Sequence, residues 1–275
     1  MTCMVFGASG QIGHYLLPRL RDHGVAVAAV SRVPRVSEDG VVWLRGNLPD
    51  AVPALPERVS SIVCLGPLDH FSHWLRQVDL TGAPPIVAMS SMSAESKRHS
   101  PDPDERELAA RLRESEARLL ARCAELGSAC TILRATLIYG GAGGSLEMLA
   151  ARARRRHVFP SPRGRGLRQP VHADDLAQAA WAALDRPQAT GVICVGGGER
   201  LSATMMFARA RKALAPGVPC LPLPQAALRG LAAVSGRGRG MAVRLGQDLV
   251  ADNTKLINLL GVHPRPFEPG PQRGG

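Results

Sequence analysis

Residues 4–22 read MVFGASGQIGHYLLPRLRD, and this stretch decides the fold. Three apolar residues, Met4–Phe6, predict a strand. GASGQIG follows at once, placing Gly7, Gly10 and Gly13 at a G-x-x-G-x-x-G spacing, and Gln11–Asp22 then has the apolar periodicity of a helix. A strand that turns through glycines into a helix is the setting in which a dinucleotide is held. The first glycine permits the tight turn. The second lets a pyrophosphate approach bare backbone, and the third lets helix and strand pack closely. The helix N-terminus then faces the phosphates with unpaired amides. The cofactor set from this stretch is Gly7, Ser9, Gly10, Gln11, Ile12 and Gly13.

Outward from that unit, short apolar runs alternate with helical patterns. Val25–Val30, Val41–Leu44, Ser61–Leu65, Pro85–Met89, Thr131–Leu137 and Val192–Val195 read as strands, nearly continuous in Val, Ile and Leu. Runs of that kind fit parallel strands buried on both faces. Helices are expected over Asp69–Leu80, Asp104–Leu126, Asp174–Leu184 and Ser202–Leu214, with a Pro-broken piece around Leu48–Arg58. The pattern predicts an α/β doubly wound parallel sheet of Rossmann type with a small C-terminal substrate-side lobe. The boundary is set at 1–198 for the dinucleotide-binding domain and 199–275 for the lobe, with residues 140–170 contributing to the cleft.

The second strand ends in Val30-Ser31-Arg32. An acidic residue there would accept from a ribose 2′-hydroxyl and repel a 2′-phosphate. Arg32, beside Ser31 and near Arg35, instead offers a guanidinium to that phosphate, so NADP is preferred over NAD.

The bulk properties fit a globular protein. The chain has 275 residues, is 45% apolar and 21% charged, and carries a net charge of +11. These values exclude wholesale disorder, and no apolar run is long enough to span a bilayer. No secretory leader is read at the N-terminus, and cytoplasmic localisation is expected. The six cysteines show no CxxC pair, so reduced core thiols are expected and no metal site. Of the 34 Lys and Arg residues only Lys97, Lys212 and Lys255 are Lys. With aromatics at 4% and none interleaving the basic stretch 152–168, nucleic acid is not an expected partner. The partner expected is a small-molecule substrate, and a homo-oligomer is left open.

The chain resembles the extended and atypical short-chain dehydrogenase/reductase superfamily, in the branch of nucleoside-diphosphate-sugar epimerases and dehydratases. Five stretches carry the resemblance over nearly the full length: GASGQIG, VAMSSMS, TILRATLIYG, RQPVHADDLAQA and DLVADNTKLINLLGVHPRPF. It implies a Rossmann fold and NAD(P) binding. It also implies that Asn47, after the third strand, meets the adenine, and that Leu65, Gly66 and Pro67 pass near the ribose and pyrophosphate.

The same resemblance implies a Tyr with a Lys four residues later on the long helix, and this sequence departs from it. Its tyrosines are Tyr15 and Tyr139, and neither lies on Asp104–Leu126. Alignment puts Ala109 at the Tyr position and Arg113 at the Lys position. Arg113, Ser91 and Ser93 are the remaining catalytic candidates, with Ser90 beside them and His99 and Tyr139 as other sources of acid or base. Arg165 and Arg168, over the family's substrate cleft, are expected to meet an anionic substrate such as a nucleotide diphosphate. The function read is an oxidoreductase or sugar-nucleotide epimerase-like enzyme without the usual pair. The alternative is a non-catalytic NADP-binding sensor or scaffold. His172, Asp174 and Asp175 are read as helix-capping residues.

Overall fold

The computed structural model describes residues 2–141, 143–223 and 245–270. Seven parallel strands form the central sheet: β1 (Thr2–Phe6), β2 (Ala26–Ser31), β3 (Val41–Arg45), β4 (Val59–Cys64), β5 (Ile86–Ser91), β6 (Cys130–Ala135) and β11 (Gly191–Val195). Their spatial order is β11-β6-β5-β4-β1-β2-β3. The order reverses between β1 and β4, and a crevice opens at that switch point at the carboxyl ends of the strands.

Alternation along each strand builds two apolar layers. Cys3, Val5, Val63 and Val87 face α1 (Gln11–Asp22), α6 (Ala173–Asp185) and α8 (Thr254–Leu260). Met4, Phe6, Ile62, Cys64, Ile86 and Ala88 face α2 (Leu68–Leu75) and α4 (Pro103–Glu125). The strands are buried on both sides, which is why they read as unbroken apolar runs. Cys3, Cys64, Cys123 and Cys130 are buried and unbridged.

The long helix α4 begins as its sequence requires. Asp102 accepts from the Asp104 amide at 3.0 Å, Pro103 opens the first turn, and Asp104 and Glu105 sit at the positive end of the dipole. In α6 the N-cap is His172, whose ring accepts from the Asp174 amide at 3.1 Å. Asp174 and Asp175 sit in the first turn and pair with Arg19 and Arg265 side chains, so of the three residues read as capping only His172 caps.

A smaller body lies beside the carboxyl ends of β5 and β6. Its core joins Tyr139, Leu146, Ala150, Phe159, Leu201, Met206 and Phe267. It contains α5 (Ser145–Arg156), β8 (Phe159–Pro162), β9 (Leu167–Arg168), β12 (Leu201–Ser202), α7 (Ala203–Leu214) and β13 (Cys220–Leu223), while α3 (Ser93–Ser96) packs on α4, and β7 (Ile138–Tyr139) and β10 (Val171–His172) also place Ile138 and Val171 in the larger core. β13 pairs with β8, and β12 with β9. The chain crosses between the bodies more than once: Leu256, Leu260 and Val262 rejoin the larger core. No described helix is long and apolar enough to cross a membrane.

Candidate functional site

The glycine turn has the geometry its sequence predicts. Gly7 lies at φ +71°, and a Cβ there would stand 2.9 Å from the Gly66 amide nitrogen. A Cβ on Gly13 would stand 2.0 Å from the Ala8 carbonyl oxygen, so this glycine sets how closely α1 meets β1. Gly10 is the N-cap of α1, and no side chain caps the helix or places an acidic group in its first turn. The opening amides of α1 therefore keep their positive potential for a ligand.

A cavity of about 400 Å³ lies over this turn. The turn contributes Gly7, Ser9 and Gly10; the end of β2 contributes Ser31 and Arg32; Asn47 follows β3; and Leu65, Gly66 and Pro67 follow β4. These are nine of the twelve residues expected to hold the cofactor. The other three are not in its lining: Ile12 is buried in the core, Gly13 packs on Ala8, and the Gln11 side chain turns toward Gly141 and Gly144. No Asp or Glu lines the cavity among the described residues. Arg32 is exposed at its rim, while Ser31 is buried and accepts from the Val33 amide at 3.2 Å. Arg35 points elsewhere, its guanidinium lying 5.0 Å over the Trp43 ring.

The groups around the expected reaction centre are held in structural bonds. Ala109 is fully buried on α4, and Arg113 donates within the helix to the Ala109 carbonyl at 3.3 Å. Ser91 accepts from the Ser93 amide at 3.1 Å, a local turn. Ser90 donates to Glu116 at 2.5 Å, and Glu116 in turn pairs with Arg134, which also reaches Glu95 at 3.1 Å. The Glu116 carboxylate holds the Arg134 guanidinium above its ordinary pKa. Tyr139 is buried, donates to the Pro266 carbonyl at 3.1 Å and accepts from the Glu268 amide at 3.2 Å. Burial pushes its phenol up to about 12, which makes it a poor proton shuttle near neutral pH. Burial likewise pushes the thiols of Cys3 and Cys64 up, to about 11 and about 12. His99 is exposed.

A second cavity, of about 510 Å³, opens past the ends of β5 and β6. Ser93 and Lys97 come from α3 and its cap, Leu137 follows β6, Leu146 and Leu149 come from α5, and Met206 and Phe207 from α7. Arg168 lines it too, buried, donating to the carbonyls of Leu167 at 2.8 Å and Gln247 at 2.7 Å. Burial holds its pKa below the usual guanidinium value. Of the two arginines expected to meet substrate, only Arg168 lines this cavity; Arg165 is exposed and outside it.

Solved structures share this architecture. A UDP-glucuronic acid 4-epimerase from Bacillus cereus, in complex with NAD, superposes with a TM-score of 0.71 at 14% identity, over 97% of this chain and 94% of that one. A UDP-glucose 4-epimerase from Thermotoga maritima, with UDP-glucose, gives 0.68 at 17% identity, over 96% and 94%. The human epimerase family protein SDR39U1 with NADPH gives 0.62 at 19% identity, over 93% and 92%. No protein-family model matches the chain, and no curated protein matches it in sequence. The fold is the Rossmann-type α/β architecture of these epimerase structures.

The long helix α4 contains no Tyr and no Lys. The sequence did not single out the second cavity's apolar wall. Leu146 and Leu149 lie where glycines and clustered arginines suggest an open basic connection, yet SLEMLAARARRR forms α5. The signal was present in Leu146, Ala150 and Ala153, buried on one helical face, with Arg154–Arg156 at the favourable end of the dipole. His70 in the first cavity and Lys97 in the second were also missed as lining residues.

Proposed function

We propose that the chain binds a nicotinamide dinucleotide across the carboxyl ends of β1, β2 and β4, taking NADP in preference to NAD. It acts as an oxidoreductase or epimerase-like enzyme that works without a Tyr-x-x-x-Lys pair. The observation that carries this reading is the first cavity: bare glycine backbone, an uncapped helix N-terminus, Arg32 at the rim and no acidic lining residue. The residues fit the group. Gly7, Ser9 and Gly10, with the amides of Gln11, Ile12 and Gly13, would hold the pyrophosphate. Ser31 and Arg32 would hold the ribose phosphate, Asn47 the adenine, and Leu65, Gly66 and Pro67 the adjoining ribose. Bound there, the nicotinamide supplies hydride chemistry.

The substrate side falls to the smaller body, with Arg168 facing an anionic substrate. Ser93 lines the second cavity together with Ser96 and Ser145, and of the serines read as catalytic candidates it is the one found there; its hydroxyl would hold a substrate oxygen or pass it a proton. Arg113 is held within the helix by its Nε bond to the Ala109 carbonyl, which leaves it a binding role and not a proton-transfer one. Cytoplasmic localisation is part of this reading, and the buried, unbridged thiols of Cys3, Cys64, Cys123 and Cys130 are in keeping with it.

Titration of NADPH and NADH into wild type and Arg32→Ala, followed by nicotinamide fluorescence, tests the preference. NADPH is expected to bind wild type at least about tenfold more tightly than NADH, with most of that margin lost in Arg32→Ala. Equal wild-type affinities would overturn the preference. Ala109, buried where the family's Tyr would stand, favours the second reading, an NADP-binding sensor or scaffold. Steady NADPH consumption with any member of a panel of carbonyl compounds and sugar nucleotides supports the enzyme; binding without consumption across the panel supports the sensor.

A further inference from the structure

Between Glu147 and Asp174 the chain has 26 residues with seven Arg and no Asp or Glu. Between Glu199 and Asp248 it has 48 residues with seven Arg, one Lys and again no acid. At the chain's own frequency of 23 acids in 275 residues, these 74 would hold about six. Arginine abundance is general here, since 31 of the 34 cations are Arg, but the lack of acids is local. The rest of the chain carries 19 Lys and Arg against all 23 Asp and Glu, so the net charge of +11 arises in these two segments alone. Their described parts build most of the smaller body.

Five of the described cations in these segments have internal work. Arg154 donates to the Leu214 carbonyl at 2.6 Å, Arg211 to Val218 at 3.0 Å and Arg200 to Ala251 at 3.1 Å. Arg209 pairs with Glu199 at 2.7 Å, and Arg168 lies in the second cavity. The other six, Arg152, Arg155, Arg156, Arg163, Arg165 and Lys212, are exposed and form no ion pair among the described residues. The Arg154 bond joins the last turns of α5 and α7. Arg152, Arg155 and Arg156 share one face of α5 at spacings of three and four residues, and Lys212 adds its charge at the same end from the last turn of α7. β13 pairs with β8, which begins three residues after α5, so Leu221 stands opposite Pro160 beside this end and is 48% exposed. The α5 dipole favours cations in the last turn, but it gives no reason for the missing acids across both segments.

The surface fits one kind of anion best. A small anion needs a concave site, and none of the six exposed cations lines either cavity. Single-stranded nucleic acid needs stacking rings, and Tyr139, Phe159 and Phe267 are buried. A bilayer needs an apolar helix face, but α5 and α7 turn theirs inward through Leu146, Ala150 and Ala153 and through Met206, Ala210 and Leu214. Duplex phosphates would pair with the arginines but give Leu221 no contact. A second copy offers no acidic face to match: its acids are interspersed with 19 cations, and Glu116, Asp174, Asp175 and Glu199 are in internal ion pairs. Arginine with exposed apolar side chains and no acids is the composition of a surface that meets another protein. We propose that the joined ends of α5 and α7 are a docking surface for an acidic protein, whose Asp and Glu side chains pair with Arg152, Arg155, Arg156 and Lys212 and whose apolar side chains cover Leu221. This does not rest on the dinucleotide site.

Titration of the full chain at about 0.15 M salt with three labelled probes tests it: a random copolymer of Glu and Tyr, a duplex DNA of random sequence, and phosphatidylserine vesicles. The copolymer, which carries both carboxylates and apolar rings, is expected to bind saturably and more tightly than the other two. The variant Arg152→Gln with Arg155→Gln and Arg156→Gln should weaken it at least about tenfold, and Leu221→Ser about threefold. A control, Arg45→Gln with Arg58→Gln and Arg98→Gln, removes the same charge from exposed positions of the larger body and should stay within about twofold of wild type. NADPH titration and thermal melting of every variant should match wild type, which separates a lost surface from a lost fold. Equal losses in the two triple variants would reduce the effect to net charge and overturn the proposal. Tighter binding of the duplex or of the vesicles would overturn it in favour of those partners. A wild-type oligomer in sedimentation that the α5 variant dissolves would overturn it in favour of a second copy. Failure of the copolymer to bind while NADPH is held would overturn the docking surface and leave the dinucleotide site standing.

Discussion

Glu116 and Arg134 form an ion pair between α4 and β6, with Arg134 Nε 3.0 Å from Glu116 Oε1 and side-chain exposures of 5% and 12%. Ser90 on β5 donates to the same carboxylate. The long helix α4 is thereby clamped to two strands. Removal of one partner leaves a buried charge uncompensated. Arg134→Met is therefore expected to lower unfolding stability by about 3–5 kcal/mol, and Arg134→Met with Glu116→Leu to recover part of that loss. Urea denaturation of the three proteins checks this. A double variant no more stable than Arg134→Met would show that Glu116 is satisfied by its other partners.

Gly7→Ala combines a left-handed backbone with a close approach to Gly66. A Cβ 2.9 Å from a backbone nitrogen requires the segments after β1 and β4 to shift beside the proposed pyrophosphate site. The variant should lose about 1–3 kcal/mol of stability and most of its affinity for NADPH. Denaturation and fluorescence titration measure the two effects. Wild-type affinity in a folded Gly7→Ala would place the dinucleotide elsewhere.

His172 supplies a pH dependence. Burial, and then the Arg265 charge, hold its folded pKa below the ordinary 6.5, against the opposing pull of Asp175, Asp174 and Glu147. The unfolded chain thus binds a proton at His172 before the folded chain does. Stability attributable to this group is complete above pH 6.5 and falls as pH drops from there toward the folded pKa. His172→Asn keeps a capping acceptor without titrating. The melting temperature of wild type should fall more than that of His172→Asn between pH 7 and 5, at roughly the histidine range. Parallel profiles would exclude His172 as a source of the pH dependence.

The seven-stranded sheet was legible because each of its strands is buried on both faces and so reads as an apolar run bounded by polar turns. The glycine-lined cavity was legible for a related reason. Bare backbone must be glycine, and Gly7, Gly10 and Gly13 sit where strand passes into helix. The second cavity was obscured. Its wall is assembled from α5, α7 and residues near 245–249, which are distant in sequence and meet only through tertiary packing. The short strands β8 to β10 carry Pro160, Pro162 and Pro170 in or beside them, which masks strand periodicity. Arginine density in 152–168 pointed to a cationic cleft, yet most of these side chains face solvent and only Arg168 turns into the cavity.

The account depends first on the opening of α1 holding a dinucleotide. Equilibrium titration of the purified wild-type chain with NADPH tests this most directly. The prediction is saturable binding at one site per chain, in the micromolar range and displaced by NADP⁺. Absence of binding by both NADPH and NADH at millimolar concentration would contradict it.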